Sequence, residues 1–291
     1  MPAVCYLFSA IISSMLLINF AHAEPTRYQT PLEQVKWQFN GDAFGCELSQ
    51  EITGFGRLAL RMEPGVRPAL QLDADWLSNA STTTASVVDS SWNTNTRPQI
   101  YTEMFWHQHR AQAKGSVLEQ FIEALEQGYS WQLDIRQSDK LSYRLTIPPV
   151  NVSESLQAFR QCRRALLPQP FEYVRQREIR FGTSSSLLSA DAEQDLRAIA
   201  RYVKADGSIT GVLVDGHADA SGNRLSNLVL SQERAENVAS RLIELGIDAN
   251  KLQVFHHGNR KPIASDSSEN GRVLNRRVTI RLVKAIGGEK Q

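Results

Sequence analysis

Two charged residues in the last third of the chain have the types and spacing for recognition chemistry. Asp219 follows the apolar run Val212-Leu213-Val214 in Gly216-His217-Ala218-Asp219, and Arg234 comes fifteen residues later inside a helix-like stretch. A carboxylate accepts hydrogen bonds from an ammonium, and a guanidinium holds a carboxylate through two parallel N–H bonds. Placed together at the mouth of a strand-loop-helix unit, they match a zwitterion that carries both groups. A direct Asp219–Arg234 salt bridge fits the same spacing, so these residues alone leave both readings open. Asn227, Ser231 and Arg234 are four and three residues apart and form one polar stripe on a helix. Leu228, Ala235, Ala239 and Leu242 form an adjoining apolar stripe. The polar stripe therefore borders the core, where a shallow pocket can open, and Gly222 allows the chain to turn back towards it. Arg276 and Arg277 open the final strand. They either meet ligand carboxylates or brace the loop from Ser265 to Gly271, and Arg277 joins the candidate contacts.

The elements that must carry these residues alternate. A strand at Glu178 to Phe181, a helix at about 190–205 and a strand at Ile209 to Asp215 come first. A helix at about 225–245 and strands at Lys251 to His256 and Val278 to Val283 follow. Such alternation predicts an α/β or α+β sandwich, with helices packed on one face of a sheet, over 178–284 and a tail at 285–291. Residues 24–167 read as a mainly β domain with two helices. Val35 to Phe39, Arg57 to Met62, Ala69 to Leu72, Ile100 to Trp106, Trp131 to Ile135 and Leu141 to Ile147 are short and rich in strand formers. The Ser/Thr/Asn-rich stretch 78–96 reads as a long polar loop. Ser116 with Glu119, and Asn151 with Glu154, open the two helices as capping pairs. Pro168 and Pro170 begin a linker at 168–177.

With 291 residues, 42% of them hydrophobic, the chain has room for two domains with cores. A formal net charge of +1 gives no bulk field for nucleic acid. Residues 1–23 read as a signal peptide: an apolar run from Val4 to Phe20 ends at Ala21-His22-Ala23. No Lys or Arg precedes Arg27, so an uncleaved anchor is the rival. Removal of Cys5 with the signal would leave Cys46 and Cys162, an even pair expected to form a disulfide in an oxidising compartment; two buried thiols are the alternative. No clustered Cys/His spacing predicts a metal, and no cofactor is expected. His217 reads as a strand-end histidine satisfied by hydrogen bonds. His107 and His109 share an expected strand face without further ligands, and Arg160, Arg163 and Arg164 read as a solvated helix face. There is no GxSxG elbow, glycine-rich phosphate loop or cysteine nucleophile. The expectation is a binding module and not an enzyme.

Gly216-His217-Ala218-Asp219, Asn227 to Ala235 and Asn275-Arg276-Arg277-Val278 stand in the order and spacing of the OmpA-like peptidoglycan-binding family, which residues 175–284 resemble. Ala218 replaces the usual threonine, and His256-His257-Gly258 replaces the common G-x-G. The resemblance implies the α+β form, with helices packed on a mixed β-sheet, and implies that Asp219 and Arg234 hold the free amino-acid end of diaminopimelate in the wall's stem peptide. Phe44 to Leu48 with Ile52 to Gly56, and Phe159 to Leu167 with Phe171-Glu172, are similar to the two cysteine segments of the MotY family of periplasmic flagellar-motor proteins. That likeness implies periplasmic residence, docking on the flagellar basal body and a MotX-like partner, and anchoring of stator B-subunits. A general envelope tether and a wall-acting enzyme are the other readings.

Overall fold

The computed structural model describes residues 24–77, 82–90, 92, 100–137 and 140–285, so the expected signal segment and most of the tail lie outside them. Among the described residues, ten strands and two α-helices make up the first domain. They are β1 (Thr26–Gln29), β2 (Trp37–Gly41), β3 (Cys46–Ile52), β4 (Gly56–Met62), β5 (Ala69–Asp73), β6 (Thr82–Val88), β7 (Tyr101–His107), β8 (Arg110–Lys114), α1 (Val117–Glu126), β9 (Ser130–Gln137), β10 (Lys140–Ile147) and α2 (Ser153–Ala165). The strands form one sheet in the order β1-β10-β9-β6-β7-β8-β5-β4-β3-β2. Alternation makes each strand two-faced. On β9, Trp131, Leu133 and Ile135 are buried, while Gln132 and Asp134 are half-buried on the other face. Helix α1 presents Leu118, Phe121, Ile122 and Leu125 to the same core, and α2 adds Leu156, Phe159 and Cys162. The Trp131 indole N–H donates to the Phe121 carbonyl, tying α1 to β9.

A disulfide joins Cys46 on β3 to Cys162 on α2, with Cα atoms 6.0 Å apart. Several expectations need correction. Thr82–Val88, inside the expected polar loop, is a strand whose β-branched residues pair with β7 and β9. The capping pairs do not form: Ser116 is itself helical, Asn151 has φ +57°, and neither helix receives a side-chain cap bond. His107 and Arg110 pair across a tight turn, so His109 leaves the strand and bonds the Leu77 carbonyl. Two of the α2 arginines are ion-paired to α1, Arg160 with Glu126 and Arg163 with Glu119.

The second unit contains α3 (Phe171–Val174), β11 (Gln176–Arg180), α4 (Ala190–Ala205), β12 (Ile209–Gly216), α5 (Arg224–Glu244), β13 (Leu252–His256), α6 (Glu269–Asn275) and β14 (Arg277–Lys284). Its sheet runs β11-β14-β12-β13, with β12 and β13 parallel and the other pairs antiparallel. Ile179, Val212, Val214, Val278 and Ile280 turn one face towards α4 and α5, which contribute Leu196, Ile199, Val203, Ala235, Val238 and Leu242 to the shared core. The segment expected as a linker is ordered. Val174 of α3 is buried in this core, and Leu167 belongs to it as well. The joint between domains is packed: the Phe44 ring meets Tyr202 edge-on at 5.5 Å, and Leu167 N–H donates to the Ala43 carbonyl.

Candidate binding site

Gly216 fixes where the site lies. A Cβ there would come within 2.1 Å of the Ser231 carbonyl oxygen and 2.9 Å of the Ala235 Cβ, so only glycine lets α5 sit this close to the end of β12. The close approach brings Ser231 and Arg234 over the strand mouth. Ser231 Oγ donates to the Leu228 carbonyl and accepts from Gly258 N–H at 2.9 Å, tying α5 to the loop after β13. Asn223 caps α5 by accepting from Ser226 N–H. Asn227, one turn in, is buried with its Nδ2 unpartnered.

Arg234 is wholly enclosed, at 0% exposure. Its Nε donates to the Ser185 carbonyl at 2.8 Å, Nη1 to the His217 carbonyl at 3.0 Å and Nη2 to the Gly182 carbonyl at 2.9 Å. Among the described residues no carboxylate lies within ion-pair distance of it. Burial pulls its pKa down to about 10, nearby Asp219 acts to raise it, and Arg276 lowers it further. The alternative of a direct Asp219–Arg234 bridge is thus not realised.

Asp219 is 6% exposed and pairs with a different arginine. Its Oδ2 accepts from Arg276 Nη1 at 2.9 Å, and its Oδ1 accepts from Ser221 N–H at 3.0 Å. Arg276 Nη2 reaches Glu269 at the start of α6. Burial works against the Arg276 charge, but hydrogen bonds to Glu269 and Asp219 hold its pKa above the usual value. Arg276 therefore spans from the candidate acid to α6. The expectation that an arginine here braces the loop ending at Gly271 fits this residue.

Arg277 lies elsewhere. Val278 and Ile280 face the helices, so alternation along β14 turns Arg277 to the other side of the sheet. There its Nη2 donates to the Lys261 carbonyl at 3.3 Å, while Nε and Nη1 are buried without partners. On that face His217 stacks on His257, ring centroids 4.9 Å apart, and His257 Nε2 meets Asp215 at 2.8 Å. The structure corrects the expectation of a satisfied His217, since its Nδ1 is buried with no partner. Burial, with Arg277 and His257 close by, depresses its pKa to about 3, leaving it neutral. Burial also pushes Asp215 up, but hydrogen bonds from His257 and Arg281 outweigh it and leave that carboxyl below its ordinary range.

The spacing-derived set thus comes together for Asp219, Asn227, Ser231 and Arg234 and separates from Arg277. Sequence reasoning named Arg276 as a possible brace but not as the partner of Asp219, and it missed Glu269 and the carbonyls of Gly182 and Ser185. The one legible sign of the short helix that carries Glu269 was Ser268, whose hydroxyl caps α6 by accepting from Gly271 N–H. Among the described residues no group of three or more His, Cys, Asp or Glu is arranged to hold a metal ion, and no helix is long and apolar enough to cross a membrane.

Two family profiles cover most of the chain: the MotY N-terminal domain matches residues 28–168, and the OmpA family matches residues 180–276. The sodium-type flagellar protein MotY of Vibrio parahaemolyticus is 23% identical over 283 residues, 94% of this chain and 96% of that protein. The probable lipoprotein YiaD of Escherichia coli is 38% identical over 104 residues, 36% of this chain. Of YiaD the chain spans about half, 47%. The outer-membrane lipoprotein YfiB of Pseudomonas aeruginosa is 35% identical over 115 residues, 40% of this chain and 68% of that protein.

Proposed function

Because this chain belongs to the family that joins a MotY N-terminal domain to an OmpA-family domain, we propose that it is a non-enzymatic flagellar-motor component that grips peptidoglycan. The C-terminal domain binds the wall, and the ligand group is the zwitterionic end of diaminopimelate in the stem peptide. The observation that carries this reading is Arg234, a buried guanidinium that hydrogen-bonds three backbone carbonyls, has no carboxylate within ion-pair distance among the described residues, and lies close enough to the Asp219 carboxylate to feel its charge. Buried charges are ordinarily paired, and a ligand carboxylate would supply the missing partner. Asp219 keeps acceptor capacity for the ammonium beside its bond to Arg276, because a carboxylate offers about four lone-pair sites. Asn227 Nδ2 is a spare donor for the peptide.

In this reading the protein is periplasmic. Its N-terminal domain docks on the basal body and a MotX-like partner, and the wall-bound domain helps hold stator complexes with their B-subunits around the rotor. One zwitterion contact is weak, but many copies on a polymeric wall multiply the hold through effective concentration.

The test is co-sedimentation with purified sacculi. Asp219→Ala and Arg234→Ala should each lower the bound fraction at least about tenfold, the scale expected for removing one partner of a charged hydrogen bond. Far-UV circular dichroism would check that each variant is folded. Equal sedimentation of both variants with the wild type would exclude this site.

Likeness to the lipoproteins YiaD and YfiB favours a second reading, a general envelope tether. A deletion strain separates the two: motor function predicts lost swimming with an intact envelope, and tethering predicts detergent sensitivity with swimming retained.

A further inference from the structure

Part of what encloses Arg234 lies outside the core. Two of its three acceptor carbonyls, Gly182 and Ser185, belong to the connection from β11 to α4, residues 181–189. Phe181 is buried in the core at its start, with the Arg234 guanidinium 5.2 Å from its ring centroid, and Leu188 packs against the core at its end, but little apolar burial holds residues 182–187 between them. Gly182, Thr183 and Ser184 are exposed, and Leu187 points outward at 81% exposure. Ser184 has φ +48°, a left-handed conformation that favours glycine. Its ties to α5 are Arg234, through Gly182 and Ser185, and Asn237, whose Nδ2 donates to the Ser186 carbonyl at 3.1 Å. Helix α4 is anchored separately, by Leu196 and Ile199 in the core and by Ser189 capping its first turn. The segment can therefore lift without unpacking either helix.

A ligand carboxylate approaching Arg234 needs the space and the donors that these carbonyls now use. Three of the five guanidinium N–H groups are spent on neutral acceptors. An ionised acceptor makes bonds roughly twice as strong as a neutral one. The exchange favours the ligand, since exposed loop carbonyls can be hydrated once released.

We propose that residues 182–187 form a displaceable gate over Arg234, closed in the free protein and opened when a carboxylate takes over the guanidinium from the Gly182 and Ser185 carbonyls. This regulation rests on the wall-binding reading above. It makes apparent affinity depend on the fraction of open molecules, so weakening the closed state tightens binding without touching a ligand contact. Asn237 is the position to change: it is exposed, lies in the middle of α5 and holds only the gate.

The experiment titrates a soluble diaminopimelate-containing muropeptide into full-length wild type and Asn237→Ala by calorimetry, with hydrogen exchange measured on the segment 182–189. Alanine favours the helix, and circular dichroism would confirm folding. Asn237→Ala should bind about 3- to 10-fold tighter. The segment should exchange faster in free Asn237→Ala than in the free wild type, and faster in the wild type with muropeptide than without it. Wild-type binding with unchanged affinity in the variant and no ligand effect on exchange would overturn the gate while leaving wall binding in place. A wild type that binds neither muropeptide nor sacculi would overturn both.

Discussion

Arg234 shows how one side chain can look structural and still be a binding group. It braces three backbone carbonyls in the free protein, yet it has no acid of its own among the described residues. Asn227, Ser231 and Arg234 were legible as a set because a helix repeat fixes which residues share a stripe, and Asp219 because it follows a strand end. The choice between Arg276 and Arg277 was not, because adjacent residues at a strand start differ only by register, and Val278 decides it. Behind the sheet, His217 supplies a prediction about pH. Its folded pKa near 3 lies below the ordinary 6.5 of an exposed histidine, so the unfolded chain binds the extra proton between these values. Stability from this group is complete above about pH 6.5 and falls as pH drops towards 3, by roughly 4–5 kcal/mol at most. The groups around it are Arg277, His257, Asp215 and Lys261. Calorimetric melting of His217→Gln should show a shallower acid slope for the C-terminal domain than the wild type. An identical slope would place the acid sensitivity elsewhere.

Among elements, the crossing of α5 over β12 depends on one missing methyl. Gly216→Ala must push the Ser231 backbone aside, and we expect a loss of about 2–4 kcal/mol of C-terminal domain stability by denaturant titration. A loss below 0.5 kcal/mol would mean that α5 shifts freely. The main helices and strands of this domain were readable because apolar residues recur at helical or strand spacing. Helix α6 was not: its seven residues, Glu-Asn-Gly-Arg-Val-Leu-Asn, are too few and too polar for periodicity, and Asn275 side-chain bonds to residues 263, 264 and 266 hold its end. Strand β6 was hidden for a related reason. Its threonines look like loop composition until pairing on both sides makes their β-branched shape an advantage. The two capping pairs failed where spacing alone was used, since Ser116 and Asn151 lack the extended backbone that a cap requires.

For the whole molecule, the disulfide closes a span of 116 residues within the N-terminal domain. The chain-entropy argument gives about 4–5 kcal/mol for a loop of that length. All five tryptophans, from Trp37 to Trp131, lie in this domain, so their fluorescence reports on it alone. Replacing both Cys46 and Cys162 by serine should lower the tryptophan-detected unfolding midpoint in urea while the circular dichroism of the C-terminal domain persists to higher denaturant. Coincident transitions would show that the two domains unfold as one. The crosslink also sits where the first domain hands over to the second: Cys162 is in the last turns of α2, and the chain enters the C-terminal core at Leu167. A pull on the C-terminal half therefore meets a covalent crosslink almost at once and is delivered into β3, held by β2 and β4 on either side. The load is spread across the sheet as shear, and α2 is spared from being peeled off one turn at a time.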